Sequence, residues 1–313
     1  MRSTARSLSL LLLALTIKQS LVEAQDRDMI LRMTTPIEVH FKDSVPHFGS
    51  AFYFQKLGAP ADPAKAEPQW RATQALYLVT AKHVIEPTRI KNLNSITFYL
   101  RKPGTVGVEW LPITLSPQEV RKRLHVSPNP VVDVAALDVL DLVEAEIMKL
   151  VPKAPERVEG GMVPIEPFGA VMEDNFVGKS KIKVSAGDDI VVIGYPRQFF
   201  DRYNKLPILK SGLLITPTGV RYDNMDAFLI DFKEYEGLSG SAVIGKPTDL
   251  VVDNGQIFVN KEGKDFAFLG VYTGQRYKRS RATGEEKTAD LGICWYYYNL
   301  NDAVNAPPLF APK

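Results

Sequence analysis

Ala75-Leu76-Tyr77-Leu78-Val79-Thr80-Ala81-Lys82-His83-Val84 opens as a run of apolar β-formers and carries a histidine next to its end. A short continuous apolar stretch of this kind reads as a buried strand, which puts His83 at a strand end. Two later segments repeat the pattern. Asp133-Val134-Ala135-Ala136-Leu137 places an aspartate at the head of an apolar strand, and Gly237-Leu238-Ser239-Gly240-Ser241 places a serine in a glycine-flanked turn. A serine hydroxyl is a poor nucleophile at neutral pH because it keeps its proton. An imidazole within hydrogen-bond reach removes that proton, and a carboxylate on the far ring nitrogen fixes the tautomer and stabilises the charged ring.

Outward from these segments, strand signals dominate. Pro36 to Phe41 alternates apolar and polar residues, and Gly49 to Phe54, Ser95 to Leu100 and Val106 to Leu115 follow. Residues 58–70 read as a solvated hairpin excursion. A helix is expected from Ser116, because Pro117 suits a first turn and Glu119 completes an S-x-x-E capping box. Leu140 to Lys153 has helical spacing, and residues 154–161 are the candidate crossover between two halves. Strands resume at Ile182 to Val184, Asp189 to Gly194, Pro207 to Ile215, Phe228 to Phe232, Ser241 to Ile244, Phe266 to Thr273 and Gly292 to Tyr298. Many short strands with turns between them indicate a sandwich or barrels, not a parallel sheet.

Residues 1–24 stand apart. Arg2 and Arg6 precede an apolar run from Leu8 to Ile17, and Val22-Glu23-Ala24 offers small residues where a signal peptidase reads. A spanning helix needs about 20 apolar residues, so this is expected to be a cleaved signal peptide. Setting aside its Arg2, Arg6, Lys18 and Glu23 from the 38 basic and 36 acidic residues leaves the remainder neutral. That balance offers no general attraction to nucleic acid or to an anionic membrane surface. With no later membrane-length apolar stretch, the mature chain is expected to be secreted or periplasmic, without a membrane anchor. Cys294 is the single cysteine, so the fold relies on its hydrophobic core and not on disulfides. It lies in a strand-like segment and reads as a buried structural thiol.

The rival motifs fail on their own terms. A nucleophile elbow requires G-x-S-x-G, and the last position here is Ser241; its partners would also run in the opposite order. Ser180-Lys181-Ile182-Lys183 matches S-x-x-K but lacks a K-T-G partner. There is no H-E-x-x-H and no cysteine-histidine cluster, so neither a metal nor another cofactor is expected. Of the four histidines, His40, His47 and His125 lack the companions that single out His83.

TAKHV, DVAAL and GLSGS together resemble the trypsin/chymotrypsin-like serine peptidases in their disulfide-free bacterial form. Ala186 to Pro196, Ser211 to Ile215, Phe228 to Asp231, Gly270 to Gly274 and the Gly292 to Val304 region extend the resemblance over roughly residues 34–306. It implies an all-β fold: two antiparallel β-barrels packed together, with short helices that include one near the C-terminus. One peptidase domain, 25–313, would hold a first barrel at about 34–150 and a second at about 160–306. The resemblance further implies His83 as general base, Asp133 as its orienter and Ser239 as nucleophile of a peptide-bond hydrolase acting on protein or peptide. The amides of Gly237 and Ser239 would form the oxyanion hole, and Thr273 would hydrogen-bond Asp133. Asp138 is the rival acid, but it falls inside its strand. Leu238 stands where many animal members carry an activating aspartate, and Gly240-Ser241-Ala242 replaces the common glycine-glycine-proline. A catalytically idle fold that binds peptides is the alternative, and an esterase or amidase would use the same chemistry.

Overall fold

The computed structural model describes residues 30–59, 71–101, 110–150, 169–253, 256–260, 264–279 and 286–311. The signal-peptide segment, most of the 58–70 excursion, the start of the Val106 strand and the 154–161 crossover lie outside them. Alternation of β-branched and aromatic residues builds the first eight strands: β1 (Thr34–Phe41), β2 (His47–Leu57), β3 (Thr73–Ala81), β4 (Leu93–Arg101), β5 (Trp110–Leu115), β6 (Leu124–Val126), β7 (Val134–Asp138) and β8 (Val171–Met172). They form one sheet in the order β5-β4-β1-β2-β3-β7-β6, with β8 pairing β2 in parallel. Eight more follow: β9 (Asp189–Gly194), β10 (Ile208–Leu214), β11 (Ala227–Asp231), β12 (Ala242–Gly245), β13 (Leu250–Asp253), β14 (Gln256–Val259), β15 (Phe268–Arg279) and β16 (Glu286–Tyr296). Six of them close an antiparallel barrel, β10-β11-β16-β15-β12-β9, and β13 with β14 makes a separate hairpin.

The all-β, two-barrel architecture expected from sequence is present, with one barrel closed and the other a curled sheet. Among the described residues β5 and β6 do not pair. The helix Pro117–Arg123 joins these two edge strands and packs on β4, β5 and β7, with Val120 fully buried in the core they enclose. Its start follows the sequence reading: Ser116 accepts from the Glu119 amide, and the Glu119 carboxylate accepts from the Ser116 amide at 2.8 Å. Such a cap stabilises a helix by about 1 kcal/mol.

Period two sorts side chains between cores. On β2, Ala51 and Tyr53 enter the first core while Phe52 and Phe54 face the second half. On β9, Ile190 and Val192 fill the closed barrel, and Val191 and Ile193 meet Phe52 and Phe54 in a shared interface core. Strands buried on both faces explain the continuous apolar runs in the sequence. The C-terminal helix Tyr297–Asn305 contacts β6, β7, β15 and β16, so it straddles both halves. Burying each large apolar side chain here contributes about 1.5–3 kcal/mol.

Two sequence expectations are corrected. Ile182 to Val184 forms no strand: Ile182 and Val184 do enter the barrel core, but from an irregular segment held by side chains. The Ser180 hydroxyl accepts from the Ile182 amide, and Thr218 donates to the Val184 carbonyl. Tyr297 and Tyr298 are helical instead of closing the last strand. The side-chain alternation that suggested strands in both places reports burial, and the backbone pairing is absent.

Candidate active site

His83 sits in the single helical turn Lys82–Ile85 that directly follows β3, and Asp133 is the residue before β7. β3 and β7 pair antiparallel with Ala81 opposite Val134, which brings the two residues side by side. The contact is two-pronged. His83 Nδ1 lies 2.6 Å from Asp133 Oδ2, and the His83 backbone amide donates to Asp133 Oδ1 at 2.9 Å. The ring is thus gripped through its own peptide as well as its nitrogen, leaving Nε2 as the available atom. Burial lowers the His83 pKa, but the Asp133 hydrogen bond and the charges of Asp133, Glu234 and Glu86 outweigh it. The net result lies above the ordinary 6.5. Half of the side chain remains exposed, which keeps the balance modest.

Ser239 lies in the turn between β11 and β12. Gly237 has φ of 97° and Gly240 of 91°, a left-handed backbone that favours glycine. A Cβ at Gly240 would collide with the Ser50 carbonyl and the Thr80 hydroxyl, so the turn presses directly on the end of β3, beside Lys82 and His83. Leu238 is buried in the closed barrel's core, which accounts for the apolar residue in this position.

The amides of the turn divide cleanly. Those of Leu238, Gly240 and Ser241 donate to the carbonyls of Tyr235, Tyr272 and Leu238. Among the described residues, no backbone acceptor outside the regular elements takes the Gly237 or Ser239 amide. Each of these two shares a peptide with a carbonyl fixed on the opposite side: Glu236 C=O accepts from Arg197 N at 2.8 Å, and Leu238 C=O from Ser241 N at 3.0 Å. In a trans peptide the N–H points away from its C=O, so fixing these carbonyls orients the two N–H groups. Two N–H donors beside a hydroxyl are the kind of arrangement that can stabilise a developing oxyanion.

Not every expected pair forms. Ser239 Oγ donates to the Thr273 carbonyl at 3.5 Å, and among the described residues no hydrogen bond joins it to His83. Nor does one join Thr273 to Asp133. The reason is local: the β15–β16 register runs Tyr272 with Cys294 and Gly274 with Ile293, so Thr273 is an extra residue at a bulge. That bulge leaves its carbonyl to the serine. Asp138 stands apart from the histidine and accepts from the Leu140 amide at the start of the helix Leu140–Leu150. His40 lies beside Glu38 and His47 beside Glu86. Buried His125 bonds the Ala306 carbonyl at 2.8 Å, and Cys294 is a buried free thiol whose pKa burial pushes up.

One organising residue carries no sequence signal. Ser50 on β2 is fully buried; its hydroxyl donates to Gly237 C=O at 2.8 Å and accepts from Tyr195 N at 2.7 Å. Its amide donates to Ser239 C=O at 2.9 Å, and its carbonyl accepts from Thr80. The first sheet therefore holds the serine turn of the second barrel from both sides. Among the described residues, no group of three or more His, Cys, Asp or Glu is arranged to hold a metal ion.

No family model matches this chain, and no curated protein matches it. Solved structures align with most of this chain at low identity. A serine endoprotease from Yersinia pestis aligns over 88% of this chain at 13% identity and a TM-score of 0.43, and this chain covers 62% of that one, less than two thirds. The MamO protease domain from Magnetospirillum magneticum aligns over 87% of this chain and 96% of its own at 10% identity and a TM-score of 0.42. The protease Anisep from Arthrobacter nicotinovorans aligns over 88% and 97% at 12% identity and the same TM-score of 0.42. At these values the roles of individual residues rest on the geometry of this chain alone.

Proposed function

We propose that this chain is an exported serine endopeptidase that hydrolyses peptide bonds through an acyl-enzyme on Ser239. His83 Nε2 takes the serine proton as Oγ attacks the scissile carbonyl. Asp133 holds Nδ1 protonated and stabilises the imidazolium that results. The Gly237 and Ser239 amides receive the oxyanion, and the imidazolium then returns its proton to the leaving amine. Water repeats the sequence to release the acyl group. No metal or cofactor enters this scheme.

The observation that carries the reading is the Gly237–Ser241 turn, where among the described residues the Gly237 and Ser239 amides have no hydrogen-bond partner, while the paired His83 and Asp133 stand at the adjoining strand ends. Export to the periplasm or beyond, with the mature protein beginning near residue 25, rests on the leader-like residues 1–24. Among the described residues no helix is long and apolar enough to cross a membrane.

One observation favours the second reading, an idle fold that binds peptides: the Ser239 hydroxyl points to the Thr273 carbonyl and not to His83. Incubation of the purified protein with an unbiased peptide library separates the two. Cleavage that is lost in Ser239→Ala and indifferent to chelators and thiol reagents is expected. Binding of peptides without cleavage would establish the second reading.

A further inference from the structure

The segment that delivers Asp133 is Ser127-Pro128-Asn129-Pro130-Val131-Val132. Two of its six residues are prolines, which have no N–H, so it offers more backbone acceptors than donors and cannot join a ladder. Its internal bonds are short-range: the Ser127 hydroxyl accepts from Asn129 N and Asn129 Oδ1 from Val131 N, each at 3.2 Å, and Asn129 C=O accepts from Val132 N at 3.1 Å. What fixes the segment against the histidine is Lys82. Its ammonium donates to Pro130 C=O at 2.7 Å and to Val132 C=O at 2.5 Å, while its backbone amide donates to Asp133 C=O at 3.2 Å. Three carbonyls within four residues converge on the neighbour of His83.

We infer that Lys82 is a positioning residue: its ammonium clamps the proline-interrupted loop and so sets how firmly Asp133 grips His83. The inference rests on the His83–Asp133–Ser239 reading above. An ammonium suits the task because it carries three donors and no acceptor, and charge-assisted bonds to carbonyls are stronger than neutral ones. The side chain is only partly buried, so it is not needed to fill a core.

A clamp and a bare charge predict opposite shifts. Asp133, Glu234 and Glu86 face His83 and raise its pKa, with the Asp133 hydrogen bond first among them. If Lys82 acts only as a nearby positive charge, removing it makes His83 easier to protonate and raises the titration midpoint. If it positions Asp133, removing it loosens that hydrogen bond and lowers the midpoint.

The test is NMR titration of the His83 ring protons in the folded full-length mature protein, together with kcat and KM on a peptide substrate. The variants are Lys82→Met, Lys82→Gln and Lys82→Arg. For Lys82→Met the midpoint is expected to fall by about half a pH unit and kcat by about tenfold, with KM unchanged. Lys82→Gln, retaining one donor, falls between it and the wild type, and Lys82→Arg restores most of both. A midpoint that rises, or that stays put with kcat intact, in Lys82→Met or Lys82→Gln overturns the clamp. Because the titration reads the clamp without turnover, a wild type that never cleaves peptides would overturn the peptidase reading alone.

Discussion

The two lips of the site are held in different ways. On the histidine side the side chains themselves are paired: His83 and Asp133 share two hydrogen bonds, and strand pairing of β3 with β7 sets their spacing. On the serine side the backbone is fixed by contacts from both halves, while among the described residues the Ser239 hydroxyl itself makes one long bond, to the Thr273 carbonyl. On the proposed reading, the fold prepares the base in advance, whereas the nucleophile keeps freedom to turn about one side-chain bond. A serine hydroxyl reorients on the scale of picoseconds to nanoseconds, so this freedom would not limit the proposed turnover.

Four substitutions break or sharpen that contrast. The largest effect is expected from Asp133→Asn, which disables the prepared lip: kcat should drop by about 10⁴ because the imidazole loses its enforced tautomer. Its pH profile carries a sign. With the Asp133 hydrogen bond and charge gone, burial dominates and the His83 pKa falls below its wild-type position. The acid limb of kcat/KM should therefore move to lower pH. Gly237→Ala strikes the serine lip, since an alanine resists φ near 97°. A displaced amide should cost about 10²–10³ in kcat with KM little changed, measured on the same peptide substrate.

Smaller effects probe the supports. Ser50→Ala leaves the Gly237 carbonyl and the Tyr195 amide without their buried partner. Chemical denaturation should show a loss of about 1–3 kcal/mol, and the labelling rate of Ser239 should fall with it. Glu234→Gln should give the smallest change. It removes one of the charges that raise the His83 pKa, so the acid limb shifts slightly to lower pH with kcat on the plateau intact. In the wild type His83 binds its proton more tightly when folded. Its contribution to stability is complete below 6.5 and is lost as pH rises through the folded value, the same range in which the ring becomes neutral.

Much of this arrangement is legible in the sequence because it depends on local rules. The capping box at Ser116 marks a helix start without reference to anything distant. The run from Ala75 to Ala81 ends where its apolar residues end, so the place of His83 at a strand terminus follows from composition. Asp133 ahead of Val134 to Leu137 is read in the same way. What escapes is contact between residues far apart in the chain. Ser50 is an unremarked serine in an aromatic strand until its hydroxyl is found on the carbonyl of Gly237, 187 residues away. The bulge that turns the Thr273 carbonyl toward Ser239 arises from the register of β15 on β16, which no single segment encodes. Ile182 to Val184 and Tyr297 to Tyr298 mislead for a related reason: alternation signals which side chains are buried, and a loop or a helix start can bury the same ones.

Activation of Ser239 by His83 is the step on which the proposed function rests. It is tested most directly by labelling the folded mature protein with a fluorophosphonate between pH 5 and pH 8, with Ser239→Ala alongside. If His83 activates Ser239, each chain takes one label, Ser239→Ala takes none, and the rate rises with pH through a midpoint above 6.5. A folded protein that takes no label, or a labelling rate that stays flat across this range, would contradict it.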